Sequence, residues 1–493
     1  MDTLAHYQLF IDGKWCEGSQ AQTQKSINPA TNLPWASFAC ASRQDVDRAV
    51  LAAKRALIDP AWRDLSQTAR GKLLYKLADL IENNAELIGQ LETRDSGKLA
   101  SETVNQVRYV GDYYRYYAGL ADKIEGAVLP IDKPDMHVFT QRMPIGVVAA
   151  VVPWNAQMFL TATKLGPALA AGCTIVLKAS EMAPAPMLEF AKLIEQAGFP
   201  AGVVSIITGD AENCAIPLTR HKDIDRIAFT GGPETARHVV RNSAENFAVT
   251  TLELGGKSPI IVFDDANLDS AVNGLVAGNF GASGQSCVAG SRGLVQRSIF
   301  EAVAETIENL SKSIIVGDPL APETHVGPLC TAAQIATIES TLAKSVEQGA
   351  HIRFGGNRLD SLEGNYFKPT LVECANAETE TLKTEMFGPV MSLLPFDIEE
   401  EAIELANDSN FGLGSGVFTE NLARAHRVSN QLRSGICWIN TYRAISPIAP
   451  FGGYNQSGYG REAGLDSIMD YTRTRTTWIN TSDQPMANPF VMR

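Results

Sequence analysis

The chain has 493 residues and a formal net charge of −13, with 42 basic and 55 acidic side chains spread along its length. That size exceeds one ordinary hydrophobic core and predicts two or three domains. The dispersed acidic balance, with no basic run, argues against nucleic acid and anionic membrane as main partners.

Met1 to Trp15 mixes polar and apolar residues, without the basic start and long apolar stretch of a secretory signal. No segment approaches the ~20 apolar residues of a membrane span. The cysteines at 16, 40, 173, 214, 287, 330, 374 and 437 form no C-x-x-C pair. That scatter predicts no structural metal and a reduced, cytoplasmic setting. All but Cys287 are expected as small buried apolar side chains.

In chain order, residues 65–90 predict an amphipathic helix, with Leu73, Leu74, Leu77, Leu80 and Ile81 at helical spacing. A second helix is expected over 100–121, and an extended segment over 124–143. Apolar runs follow at Ile145–Val152, Cys173–Leu177, Val203–Ile207, Arg226–Phe229 and Ser258–Phe263. Helix-like segments at 157–171, 184–197, 211–220 and 233–247 separate them. This alternation predicts an α/β fold with a doubly wound parallel sheet covered on both faces. It suits nucleotide binding, although no G-x-G-x-x-G follows the first strand. A second α/β region is expected over 265–455, with strand-like runs at Gly293–Gln296, Val390–Pro395, Gly416–Thr419 and Ile436–Asn440. The alternating tail Tyr471–Asn480 reads as an edge strand.

Two blocks carry chemistry. One is Leu252-Glu253-Leu254-Gly255-Gly256-Lys257-Ser258-Pro259; the other is Gly284-Gln285-Ser286-Cys287, followed by Gly290-Ser291-Arg292. Glycines let backbone approach a ligand closely, and they weaken helix and strand interiors, so both blocks are expected in turns. A thiol and a carboxylate so placed are a candidate nucleophile and base.

With Phe10-Ile11-Asp12-Gly13-Lys14-Trp15, Val151-Val152-Pro153-Trp154-Asn155, Glu385-Met386-Phe387-Gly388-Pro389 and Gly460-Arg461-Glu462, these blocks span nearly the whole chain. Together the chain resembles the aldehyde dehydrogenase superfamily, of the NAD(P)-dependent, non-acylating type. The resemblance implies Cys287 as nucleophile, Glu253 as the base that activates water, and Asn155 as oxyanion donor. Lys164 matches a family lysine near the active site. For the cofactor it implies Lys178 and Glu181 at the adenosine ribose and Glu385 and Phe387 at the nicotinamide end. Trp154, Gly231, Gly232 and Leu254 line the same groove. A carboxylate at 181 favours NAD over NADP, because it would repel a 2′-phosphate. Gly232 and Ala236 depart from the family's pyrophosphate pattern, and Asn455 replaces a common lysine.

At positions that are aromatic in several relatives, this chain has Ala156, Thr163 and Gly281, which predicts a wide aldehyde tunnel. Phe280, Tyr442, Ile445 and Phe451 are expected as its apolar wall. Arg443 either attracts an anionic substrate group at the entrance or is paired within the protein. The resemblance further implies an NAD-binding domain (1–121 and 144–255), a catalytic domain (256–455), and bridging segments (122–143 and 470–493) that build a homodimer or homotetramer. The expected reaction is NAD-dependent oxidation of a small aldehyde to its acid. The rival readings are a CoA-acylating relative, a thiol hydrolase and a catalytically silent NAD-binding scaffold.

Overall fold

The computed structural model describes residues 4–486 and 488–491. Part of the tail segment 470–493, namely 487, 492 and 493, therefore lies outside the described residues. Two large sheets organise the chain. The first has eight strands in the spatial order Gly458–Tyr459, Val249–Glu253, Arg226–Thr230, Val147–Val151, Thr174–Ala179, Val204–Thr208, Leu9–Ile11, Lys14–Cys16. Its five central strands are parallel, and antiparallel strands flank them at both ends. The order reverses between Val147–Val151 and Arg226–Thr230, which opens a crevice at their carboxyl ends.

The second sheet has seven strands: His351–Phe354, Thr370–Glu373, Val390–Phe396, Arg292–Gln296, Pro259–Val262, Gly414–Phe418 and Ile436–Ile439. All pair in parallel except His351–Phe354. The run at Ser258–Phe263 thus belongs here and not to the first sheet, a correction to the sequence reading. The fifth parallel strand of the first sheet is Val249–Glu253, which the apolar pattern misses. Its first residue is exposed and the next is only partly covered, and two threonines interrupt the apolar run.

The amphipathic stretch 65–90 is also not one helix. It breaks at Asn84 (φ −109°, ψ 13°) into Gln67–Asn83 and Ala85–Ser96. The Asn84 side chain donates to the Leu80 carbonyl, a local bond that competes with helix continuation. The predicted helix 233–247 ends at Ser243, and Phe247 adopts a left-handed backbone. Helix Gln157–Ala171 matches its expected limits, and every one of its residues is buried. It lies against helices Gln67–Asn83 and Ala100–Leu120, whose Tyr113, Tyr114 and Tyr117 fill one main core.

A separate antiparallel ribbon joins Met136–Pro144 to Thr472–Asn480 over nine paired positions. The tail strand therefore finds a partner in this chain, and Trp478 and Ile479 remain exposed on it. Cys16, Cys287 and Cys437 are partly exposed, and the other five cysteines are buried. Among the described residues, no helix is long and apolar enough to cross a membrane.

Arg292 ties the second sheet to the glycine-rich turn before it. Its buried guanidinium donates to the carbonyls of Lys257, Leu405 and Ala406 at 2.7–2.9 Å. Arg292→Leu leaves those acceptors unmet and is expected to cost about 3 kcal/mol or more. A fall of several degrees in the apparent thermal midpoint, followed by circular dichroism, would be the readout.

Candidate active site

The two sheets bring their carboxyl-end loops together around a cavity of about 330 Å³. Asn155, Glu253, Leu254, Gly255, Cys287, Glu385 and Phe387 all line it. Glu253 is the last residue of its strand, so the block that contains it begins in a strand and only then turns. Cys287 is half-buried and packs on the cluster of Val288, Leu413 and Trp438. Gly256 makes room for this arrangement: a Cβ there would lie 2.6 Å from the Cys287 carbonyl oxygen.

Asn155 follows strand Val147–Val151, and its Nδ2 donates to the Gln285 carbonyl at 3.1 Å. An amide nitrogen carries two hydrogens, so one remains for a substrate oxygen. The N-cap of the following helix is Ala156, and no side chain caps it. Asn155 is therefore free of the capping role its residue type suggests.

Glu253 is 3% exposed, and neither carboxylate oxygen has a hydrogen-bond partner. Burial, then the charge of Glu462, hold it well above the usual carboxylate range; Lys164 and Arg461 offset part of this. Gly452 lets the carboxylate lie where it does, since a Cβ there would sit 2.6 Å from Oε1. Behind Glu253, the buried Lys164 ammonium donates to Glu462 Oε1 at 2.5 Å and Thr230 Oγ1 at 2.6 Å. Thr163 donates to the second oxygen of Glu462 at 2.5 Å. Glu462 is thus a site residue to which the sequence assigns no role.

Burial pushes the Cys287 thiol up to about 12, with smaller contributions from the carboxylates of Glu253 and Glu385. Burial likewise pushes Glu385 up to about 7, against a Gly256 N–H bond of 3.0 Å and the nearby Lys257. The Glu385 carboxylate occupies the space a side chain at Gly255 would fill.

A second cleft, of about 450 Å³, continues from this cavity over the first sheet. Pro153, Trp154, Thr230, Gly231 and Gly232 line both. At its far end Lys178 donates to Glu181 Oε2 at 2.5 Å. Trp154 and Phe387 meet edge to face, 5.5 Å between centroids. Helix Pro233–Ser243 points its N-terminus at the cleft with no side-chain cap, and nothing lies within 4 Å of a Cβ at Gly232. Free amides at a helix start suit a phosphate.

The seven candidate tunnel residues are divided among several packing surfaces. Thr163 is buried and turned toward Glu462, and Phe280 belongs to a core of the second sheet. Arg443 donates to the Ala277 carbonyl at 3.0 Å. Its guanidinium also fills the space that the missing side chain at Gly281 leaves. Tyr442 donates to the Val288 carbonyl at 3.0 Å and packs on Trp438. Ala156 and Ile445 pack against the core of the first sheet, while Tyr442 and Phe451 both pack, as Cys287 does, on the cluster of Val288, Leu413 and Trp438. Among the described residues, no cluster of three or more His, Cys, Asp or Glu could hold a metal ion.

A cysteine and a desolvated carboxylate share one cavity with a nucleotide-type crevice in an α/β fold, an arrangement that suits a dehydrogenase. The aldehyde dehydrogenase family model matches residues 15–477, and the chain belongs to that family. It is 54% identical over 99% of its length to the whole of (Z)-2-((N-methylformamido)methylene)-5-hydroxybutyrolactone dehydrogenase from Acinetobacter baylyi. It is similar to solved betaine aldehyde dehydrogenase from Staphylococcus aureus in complex with NAD+ (TM-score 0.96, 36% identity, 99% of this chain and 97% of that one). An NAD+ complex of aldehyde dehydrogenase from Bacillus cereus is likewise similar (TM-score 0.95, 39% identity, 97% of each chain).

Because the charges of Glu253 and Glu385 raise the Cys287 thiol, Glu385→Gln is expected to increase the thiolate fraction at a given pH. Iodoacetamide should then label Cys287 faster in that variant than in the parent between pH 7 and about 9, which mass spectrometry can follow.

Proposed function

We propose that the chain oxidises an aldehyde to its carboxylic acid with NAD, using Cys287 as nucleophile and water as acyl acceptor. The observation that carries this is the cavity where Cys287, Asn155 and the partnerless carboxylate of Glu253 meet. The residues present fit the cofactor. Glu385 nests on Gly255, the open helix start at Gly232 suits the pyrophosphate, and Lys178 with Glu181 suits the adenosine ribose. NAD, when bound, supplies the hydride acceptor. A carboxylate at 181 disfavours NADP.

The Cys287 sulfur attacks the aldehyde carbon, the C=O π bond opens, and the thiol's proton ends on the former carbonyl oxygen, giving a thiohemiacetal. The free Asn155 hydrogen, with the Cys287 backbone N–H, holds the oxygen as charge develops there; such a donor is worth roughly 3–4 kcal/mol. Once hydride has left, the acyl group stands on Cys287 as a thioester. Glu253 takes a proton from water, the water oxygen attacks the thioester carbon, and the thiolate leaves as the acid forms. A raised affinity for protons suits Glu253 to this task near neutral pH.

The substrate class follows from chemistry shared with the Acinetobacter relative. A 5-hydroxybutyrolactone is the ring-closed form of an aldehyde that also bears a carboxyl group. We propose a carboxylated aldehyde of that type for this chain. We further read 1–121 with 144–255 as the cofactor domain, extended by Gly458–Tyr459, and 256–455 as the catalytic domain. The ribbon segments 122–143 and 470–493 would join copies into a homodimer or homotetramer, and the exposed Trp478 and Ile479 support that reading. Eight free cysteines fit a cytoplasmic setting.

In an NADH assay, 4-oxobutanoate should outpace propanal and betaine aldehyde, and Cys287→Ala should abolish turnover; equal turnover in that variant would refute the thiol's role. Glu253→Gln should lower kcat roughly 10²- to 10⁴-fold and accumulate an acylated Cys287 visible by intact mass. Because only the ionised carboxylate acts as base, and burial raises its proton affinity, the parent's deacylation rate should still climb with pH above about 6. An unperturbed glutamate would be fully ionised there.

A further inference from the structure

The nucleophile is reached through unusual backbone. Ala282 (φ 53°, ψ 29°), Ser283 (φ 54°, ψ 30°) and Gly284 (φ 73°) are all left-handed. No other run of three such residues occurs among the described residues. For alanine and serine this conformation is unfavourable and persists only where the surroundings impose it.

Three contacts impose it. Ser283 Oγ donates to the Gly327 carbonyl at 3.0 Å. Gly284 packs so closely on the Gly388 carbonyl that no Cβ would fit. The third comes from the other end of the molecule in sequence: the Ala282 N–H donates to Glu102 Oε1 at 2.9 Å. Glu102 lies in the first turn of helix Ala100–Leu120. The run then passes directly into Gln285. The Gln285 carbonyl receives Asn155, and its side-chain oxygen receives the Cys330 N–H at 2.8 Å. Two residues later comes Cys287. A shift at Ala282 therefore moves the thiol and the partner of the oxyanion amide together.

We propose that Glu102 is a positioning residue for this reaction. Its carboxylate fixes the left-handed run that presents Cys287 and seats Asn155. It touches neither substrate nor cofactor. The proposal rests on Cys287 being the nucleophile.

The test compares Glu102→Ala, Glu102→Gln, and Glu102→Ala combined with Ala282→Gly. Glutamine keeps an oxygen for the Ala282 N–H, and glycine adopts the left-handed conformation without a Cβ penalty. Glu102→Ala should lower both kcat/KM for aldehyde and the iodoacetamide rate at Cys287, roughly 10- to 100-fold. Its NAD affinity, read by fluorescence titration, should stay within about twofold, since displacement by about 1 Å acts on chemistry and not on the remote cofactor groove. Glu102→Gln should recover most of both rates, and the glycine double variant should recover part. Two results would overturn the proposal: unchanged labelling and turnover in Glu102→Ala, or a Glu102→Gln variant as impaired as Glu102→Ala. Cys287→Ala run in parallel separates the two readings. Retained turnover there sinks the nucleophile assignment, while the labelling rates in the Glu102 variants still judge its grip on the loop.

Discussion

Everything at the site depends on one desolvated carboxylate. Glu253 sits at the end of a sheet strand with no hydrogen bond to either oxygen. An isolated buried charge is too unfavourable to persist, so the group holds its proton more tightly than in water. The buried pair of Lys164 and Glu462 behind it sets how far that goes, since one partner attracts the carboxylate's charge and the other repels it. The thiol opposite is subject to the same desolvation. The same dry cavity thus raises the proton affinity of both the nucleophile and the base.

Such a cavity needs backbone to come closer than side chains allow. Gly255 admits the Glu385 carboxylate, Gly256 admits the Cys287 carbonyl, and Gly452 admits Glu253. These glycines belong to loops of both sheets, and each loop leaves the carboxyl end of a parallel strand or its neighbourhood. The parallel topology supplies the rigid frame. The missing Cβ atoms let three loops close on one point.

Much of this is legible in the chain. Cys287, Asn155 and Glu253 stand out because each lies in or beside a glycine- or proline-marked turn. The alternation of strands and helices from 145 to 230 reads correctly because parallel strands are apolar on both faces. What is hidden depends on pairing across great distances. Glu462 acquires its importance only by meeting Lys164, and Glu102 only by meeting Ala282. Arg443 looks like a free cation at a tunnel mouth until its guanidinium is seen to fill the gap at Gly281. Thr163 and Phe280 have the right residue types for a tunnel, yet the helical phase of their segments turns them inward. The strand Val249–Glu253 is obscured by its threonines and its exposed beginning.

The ion pair between Lys164 and Glu462 has a consequence for biosynthesis. Helix Gln157–Ala171, buried along its whole length, carries a lysine whose counter-charge lies 298 residues later. At ordinary elongation rates the ribosome needs on the order of half a minute to cover that distance. The first sheet also receives its last strand, Gly458–Tyr459, from the same late stretch. A nascent chain can therefore form most of the first sheet early, but the Lys164 ammonium waits for its counter-charge until the stretch around Glu462 has left the ribosome.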